Sequence, residues 1–469
     1  MEYMEKLSST KKELDSISPS FCLAKWLQVT LHLQNGFNHS CHHPEVHQIT
    51  LDDLKNGPSS LHNTAYKKNL WAAMKKGNRP KECDFCWKVE DSAGHHFSDR
   101  ILKSSDPWAH ERMQEIANTP AKKNVNPSYV EVSFSHECNF RCSYCNPYTS
   151  SSIWAQYAKH GPYIGRASVE EIERVGRKPF GKEEPNPYVN AFWEWFPELS
   201  RSLRVFRITG GEPLLNRNTF QVLDFIEKNP LPELELCINS NLGVPDKFID
   251  EFLEKVSLLT KDGKLKKFRL YTSVDTHGAQ AEYLRVGLNY ERWLRNVKKY
   301  LKVLPWPVTF MVTFNLLSLA KFELLLNDMV LLNSEFEGEK NFEDEVESKR
   351  ALIDITHLRH PDYFSPWILP PSWREKMGSL ISYMESRSIY NIGAAGFLNY
   401  ETHKMQRIKS WMDTEDHDSF HARFHRGRFF LFTKQFEERE NRRFLDVFPE
   451  MEDFFLLCQT DAARFTDNK

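Results

Sequence analysis

The chain has 469 residues, 27% of them charged, with a mean hydropathy of −0.57, a net charge of −2 and a pI near 6.8. That length accommodates two or three domains and a large core; the near-neutral charge lends no support to a nucleic-acid-binding surface, and no apolar run approaches the ~20 residues of a membrane span. The charged start, Met-Glu-Tyr-Met-Glu-Lys, lacks the apolar stretch of a secretion signal, so a cytoplasmic protein is expected.

Residues 1–17 read as a mobile or helical tail, and 18–125 as a domain rich in cysteine and histidine. Nine cysteines are an odd count for a disulfide framework, and seven of them fall into two groups with ligand-like spacing. Cys237 and Cys458, in apolar surroundings, read as buried small hydrophobes. The first group is Cys22, Cys41 and the tight pair Cys83-Asp-Phe-Cys86. A helix over Leu61–Lys75 lies between its outer pieces, so the four thiols can close on one site. Four thiolates suit an iron–sulfur cluster or a structural zinc, and in a zinc site His42 or His43 can replace a thiolate. The remaining histidines, His32, His39, His47, His62, His95 and His96, read as surface or hydrogen-bonded residues.

Over 126–358, strand-like and helix-like segments alternate six times, the pattern of parallel strands joined by crossover helices. Strands are expected at 129–135, 204–209, 233–239, 267–275, 307–315 and 351–357, with helices starting near 150, 217, 245, 289 and 320. Phe248, Phe252 and Val256 share one helix face. Six units predict an α/β fold, an open partial (β/α)6 TIM-like barrel, whose ligands sit at the C-terminal ends of the strands. The first crossover carries an insertion over 159–188 and then an aromatic helix, Asn190–Phe196, whose Trp193 and Trp195 read as packing. The acidic stretch 336–349 reads as a solvated loop or helix face. Residues 359–469 form an extension with Pro361, Pro366, Pro370 and Pro371, helical runs over 373–387 and 436–448 that cover the barrel, and a solvated basic surface at 423–428.

The second cysteine group directly follows the first barrel strand: Cys138-Asn-Phe-Arg-Cys142-Ser-Tyr-Cys145. Three thiolates leave one iron of a [4Fe-4S] cluster open to a small chelating ligand, whereas a closed zinc site needs four donors and none stands at the matching spacing. Here the sequence resembles the radical S-adenosylmethionine (SAM) superfamily, whose signature is this C-x3-C-x2-C loop with an aromatic residue, here Tyr144, before the last cysteine. The resemblance implies an enzyme. It makes Cys138, Cys142 and Cys145 ligands of a [4Fe-4S] cluster, SAM the cofactor, and a flavodoxin or ferredoxin type protein the reductant. It also implies cleavage of SAM to methionine and a 5′-deoxyadenosyl radical, then hydrogen abstraction from a substrate carbon.

The same resemblance reads Gly210-Gly211-Glu212-Pro213, at the end of the second strand, as the motif that holds the amino group of SAM. Asn241, Ser273 and Arg285 match SAM-neighbouring positions, with turn capping or surface pairing as the ordinary alternative; Asn315 is similar. Asp275, His357 and His360, at strand ends, are the candidate substrate-side groups. The order of Cys22, Cys41, Cys83 and Cys86 resembles the twitch region, a shortened relative of the SPASM domain, set here before the barrel rather than after it. That implies an auxiliary [4Fe-4S] cluster. Twitch and SPASM relatives act on peptides or protein side chains, the expected substrate class. A small molecule of a cofactor or nucleoside pathway is the alternative, and a non-catalytic zinc-bearing binding protein on a degenerate barrel is the other.

Overall fold

The computed structural model describes residues 2–92, 96–336 and 349–466; His95 and, from 337 to 348, the acidic stretch lie outside the described residues. The described strands are β1 (Gln28–His32), β2 (Phe37–His39), β3 (His47–Gln48), β4 (Tyr129–Ser133), β5 (Arg141–Cys142), β6 (Val205–Thr209), β7 (Leu231–Ser240), β8 (Leu265–Ser273), β9 (Arg285–Val286), β10 (Val308–Phe314) and β11 (Ala351–His357). The longer helices are α1 (Glu2–Ile17), α2 (Ala65–Lys75), α3 (Ser151–His160), α4 (Pro187–Leu199), α5 (Arg217–Lys228), α6 (Asp246–Lys261), α7 (Tyr290–Val303), α8 (Phe322–Glu335), α9 (Pro371–Ser386), α10 (Asn399–Thr414), α11 (Phe420–Glu440) and α12 (Glu452–Thr466). No described helix is long and apolar enough to cross a membrane.

The chain divides into two compact units, one of 1–136, 179–238 and 259–268, the other of 137–178, 239–258 and 269–469. These cut across the expected segments 1–17, 18–125, 126–358 and 359–469. The reason is visible in the first unit. There β1, which belongs to the cysteine-rich segment, pairs in parallel with β4, Gln28 opposite Tyr129 through His32 opposite Ser133. Its residues Gln28 to Leu31 are buried without alternation, so a period-2 search passes over it. A parallel strand therefore precedes the expected six. In the same unit β6 pairs in parallel with β4 and β7 with β6, while β2 returns antiparallel on β1 and β3 on β2.

Residues 1–17 take the helical of the two expected forms, and the helix is docked rather than loose. Helix α1 sets Leu7 and Leu14, 2% and 0% exposed, into a core cluster with Phe21, Trp26, Trp71, Met74, Trp87 and Ile101. Burying each leucine contributes about 1.5–3 kcal/mol, which docks the helix. Helix α2 begins later than Leu61 because Thr64 caps it, accepting from the Lys67 amide, and a 3-10 turn occupies Pro58–Leu61. In α4, Phe192 stacks on Phe206 of β6 and Phe196 lies tilted against it, with centroids 6.1 and 5.5 Å apart, and Trp195 is buried.

In the second unit β8, β10 and β11 run parallel, Leu270–Ser273 facing Val308–Met311 and Val308–Phe314 facing Ala351–His357. The exposed edge of β11 is closed by α10: Glu401 Oε1 accepts from the Ile353 amide at 2.8 Å, and Oε2 pairs with Lys349 at 2.8 Å. An edge strand left open invites pairing with another chain, and a covering helix prevents it. Two expectations for the extension are corrected. The run 436–448 is not one helix, since α11 stops at Asn441 in the left-handed conformation, φ 50°. Nor is 423–428 simply a solvated surface: Arg426 is 1% exposed and its Nε lies 2.6 Å from Asp461 of α12. A buried guanidinium needs such a partner to offset its lost hydration.

Candidate functional site

The loop 138–145 is braced inside the second unit from several sides. Phe140, 1% exposed, fills a notch between two glycines: a Cβ on Gly243 would stand 2.3 Å from its ring, and one on Gly287, at φ +108°, 2.9 Å. Only glycine leaves that room. Strand β5 pairs antiparallel with β9, Cys142 opposite Arg285, and the Ser143 amide donates to the Leu284 carbonyl at 2.8 Å. Asn241 Nδ2 donates to Asn139 Oδ1 at 2.9 Å, and Asn139 Nδ2 donates to the Gly243 carbonyl at 3.0 Å. The first turn of α3 closes the other side, with the Cys138 amide donating to Ser151 Oγ at 3.1 Å and Ser152 Oγ donating to the Cys138 carbonyl at 2.6 Å. All three cysteines are half-buried.

Two guanidinium groups flank this loop. Arg285 forks onto Asp275 through Nε and Nη2 at 2.9 and 3.0 Å, and its Nη1 lies 3.7 Å from Cys142 Sγ. Asp275 is fully buried and also accepts from the Tyr144 hydroxyl at 2.7 Å and the Thr313 amide at 2.9 Å. Burial works against the Arg285 charge, but Asp275 more than reverses it and holds the guanidinium protonated. Burial pushes the Cys142 thiol up to about 12, with Arg285 opposing the rise. Arg166, from the insertion, donates from Nη2 to the Ser143 carbonyl at 2.7 Å, from Nη1 to the Cys145 carbonyl at 2.9 Å and from Nε to the Tyr363 hydroxyl at 3.1 Å. The Arg141 side chain forks onto Glu440 of α11 at 3.1 and 2.7 Å. Positive charge beside the thiols lowers the cost of ionising them, which ligation requires.

Gly210 to Pro213 belong to the first unit, at the end of β6. Gly210 has φ +120°, and a Cβ there would meet Ser133 Oγ at 2.5 Å. The Gly211 amide donates to the Ser135 carbonyl at 3.2 Å. Glu212 is 2% exposed; its Oε1 accepts from the Leu214 amide at 3.0 Å and caps the short turn that Pro213 begins. Ser273 is half-buried at the end of β8, opposite Met311. Asn315 Oδ1 accepts from the Leu317 amide at 3.0 Å, a turn cap. Of the substrate-side candidates, Asp275 lies within the Arg285 and Tyr144 network, whereas His357 packs against Trp411 of α10 with ring centroids 4.9 Å apart. His360 is exposed and pairs with Asp362 at 3.1 Å.

In the first unit Cys22, Cys41, Cys83 and Cys86 line one cavity together with Lys25, His43, Asp99, Arg100 and Lys103, Cys83 and Cys86 buried and Cys22 and Cys41 half-buried. Lys25, 3% exposed, lies with Nζ 3.9 Å from Cys83 Sγ and is also paired with Glu82. His43 is turned to Asp99 at 2.8 Å and stacks on Phe85. Burial pushes the Cys83 and Cys86 thiols up to about 12, with the neighbouring thiols adding to the rise. A zinc ion needs four donors, its thiolates at about 2.3 Å; among the described residues no group of three or more His, Cys, Asp or Glu side chains is gathered to hold a metal ion.

Sequence reasoning missed Phe140 and its glycine notch, Thr313 and Arg166. Gly287, two residues after Arg285, was a legible signal of close backbone approach. Arg166 had none, because its partners are carbonyls about twenty residues upstream.

Residues 132–329 match the family model described as Radical SAM superfamily. Two curated relatives are GTP 3′,8-cyclases: that of Syntrophomonas wolfei is 29% identical over 122 residues, 26% of this chain and 29% of the relative, and that of Desulforamulus reducens is 28% identical over 188 residues, 39% and 46%. The chain thus spans less than half the length of these relatives. Among solved structures, Streptococcus suis SuiB bound to S-adenosylmethionine aligns at TM-score 0.36 and 11% identity, over 77% of this chain and 69% of that one.

Proposed function

Because residues 132–329 carry a radical SAM superfamily domain, we propose that this protein is a radical SAM enzyme on a partial (β/α)6 barrel, with Cys138, Cys142 and Cys145 as the ligands of a [4Fe-4S] cluster. The observation that carries the reading is the braced three-thiol loop, with a cationic guanidinium 3.7 Å from Cys142. The donor set suits a cluster with one iron left for SAM. Bound there, cluster and SAM supply reductive cleavage to methionine and a 5′-deoxyadenosyl radical that takes hydrogen from a substrate, with a flavodoxin or ferredoxin type protein as electron donor.

The chain's own groups position these partners. Glu212 accepts from the SAM ammonium, with Gly210 and Gly211 allowing backbone approach, and Tyr144, Asn241 and Ser273 line the SAM side. Asp275 acts as a positioning residue rather than a base, since both of its oxygens are already engaged. The four thiols of Cys22, Cys41, Cys83 and Cys86 would hold an auxiliary [4Fe-4S] cluster in a twitch-like arrangement, for structure or electron transfer. The substrate on this reading is a peptide or protein side chain. A small-molecule substrate is the second reading, favoured by the partial likeness to GTP 3′,8-cyclases.

Glu212→Gln is the test. It is expected to keep the iron and to lose most reductive SAM cleavage, because a hydrogen bond between the ammonium and a charged acceptor is worth ~1.5–3 kcal/mol, roughly tenfold to a hundredfold. Cleavage at the wild-type rate would show that the motif does not hold SAM.

A further inference from the structure

At the C-terminal end of β11 the second unit holds a cavity of about 430 Å³ lined by Ile355, Thr356, His357, Arg359, Lys404, Arg407, Ile408 and Trp411. Its charge is one-sided: Arg359, Arg407 and Lys404 line it, and no carboxylate does. Lys404 is already paired, with Asp354. Arg359 and Arg407 are both exposed and have no carboxylate partner among the described residues. Both lie close enough to His357 to disfavour its protonation, on top of the effect of burial. Two guanidinium groups that line one cavity with no acid among its lining residues repel each other, and an anion relieves that cost. The rings of His357 and Trp411, 4.9 Å apart, form an aromatic wall beside the charges.

The position matters as much as the charge. Ligands of parallel barrels sit at the ends of the strands, and β11 is a strand of that kind. The segment that leaves β11 lines this cavity with His357 and Arg359, and with His360, Pro361 and Asp362 it lines a second cavity of about 410 Å³ that contains Tyr144 and Asn146 of the cysteine loop. An anion held by Arg359 and Arg407 therefore anchors a ligand to the wall shared with the loop's own cavity. Arginine forks match phosphate oxygens in pairs, and two such forks suit a polyanionic group better than a single carboxylate. The volume is that of a small-molecule site.

We propose that the cavity at the end of β11 binds the phosphate group of a small-molecule substrate, with Arg359 and Arg407 as the phosphate-holding residues and Trp411 as the wall against which the rest of the molecule packs. The assignment to substrate rests on the second, small-molecule form of the radical SAM reading; the assignment to phosphate does not. The test is calorimetric titration of the full-length protein with inorganic pyrophosphate, and with glutamate as a carboxylate control, in wild type and in Arg359→Gln/Arg407→Gln. Both arginines are exposed, so the variant is expected to fold, and unchanged thermal unfolding confirms it. Expected are pyrophosphate binding that weakens with added salt, a loss of at least about tenfold in the double variant, partial recovery in Arg359→Lys/Arg407→Lys, and unchanged SAM cleavage in the absence of substrate. Wild-type protein that cleaves SAM but does not bind pyrophosphate, or that binds glutamate equally well, overturns the inference while leaving the enzyme reading intact. Pyrophosphate binding of equal strength in the double variant overturns it too.

Discussion

The two cysteine sites use the same side chain to opposite ends. The loop 138–145 concentrates three half-buried cysteines in eight residues and sets Cys142 beside Arg285, whose charge is tied to Asp275. The other site draws Cys22, Cys41, Cys83 and Cys86 from separate segments to one cavity, with Cys83 and Cys86 buried, beside Lys25 and its partner Glu82. Burial raises Cys142 as far as it raises Cys83 and Cys86, to about 12 in each case. Burial of these three thiols therefore does not distinguish the sites. Donor number does: three thiols leave one iron of a cluster open to a reacting ligand, and four leave none.

The harshest way to break this comparison is to replace Cys138, Cys142 and Cys145 with Ala. Reductive SAM cleavage is expected to vanish, while anaerobically purified protein keeps about half of an initial content of about eight irons, four per cluster. Iron near four before the change, with zinc making up the rest, would reassign the four-cysteine site to structural zinc.

A smaller but still large effect is expected from Asp275→Asn, which leaves the buried Arg285 charge without its partner. Breaking a buried pair on one side costs ~3–5 kcal/mol, and the Tyr144 and Thr313 contacts weaken with it. Urea unfolding should report the loss, and iron content should fall with it because the loop loses its brace. Stability and iron at wild-type levels, with only substrate-dependent turnover reduced, would return Asp275 to the role of substrate-side base.

The smallest effect is a pH dependence. In metal-free protein Cys83 and Cys86 hold their protons to about 12, above the ordinary 9.0. The fold thus favours the protonated thiols, a contribution complete below pH 9 and lost as pH rises from 9 toward 12. Between pH 8 and 10, metal-free wild type should lose on the order of 2 kcal/mol more than metal-free Cys83→Ser/Cys86→Ser. Equal slopes in the two urea series would show that these thiols ionise freely.

Much of the site was legible along the chain. The spacing of Cys138, Cys142 and Cys145, the Gly-Gly-Glu-Pro turn and strand bounds within about two residues of those observed are local properties, set by periodicity and by side-chain chemistry at short range. The helix starts follow for the same reason, α6 at Asp246 and α7 at Tyr290. What distance in sequence concealed was decided by packing. Strand β1 was hidden because it pairs with a segment a hundred residues later and is buried without alternation. Helix α1 is held by Leu7 and Leu14, two apolar residues in a charged run that acquire meaning only from the core they enter. Asp275 looked like a free strand-end carboxylate until Arg285, Tyr144 and Thr313 were brought around it. The sequence by itself determined where the thiols stand along the chain and in what order the strands arise. The tertiary structure decided which charges meet them, because a guanidinium fork, a glycine notch and a shared cavity wall each depend on groups that only folding brings within a few ångströms.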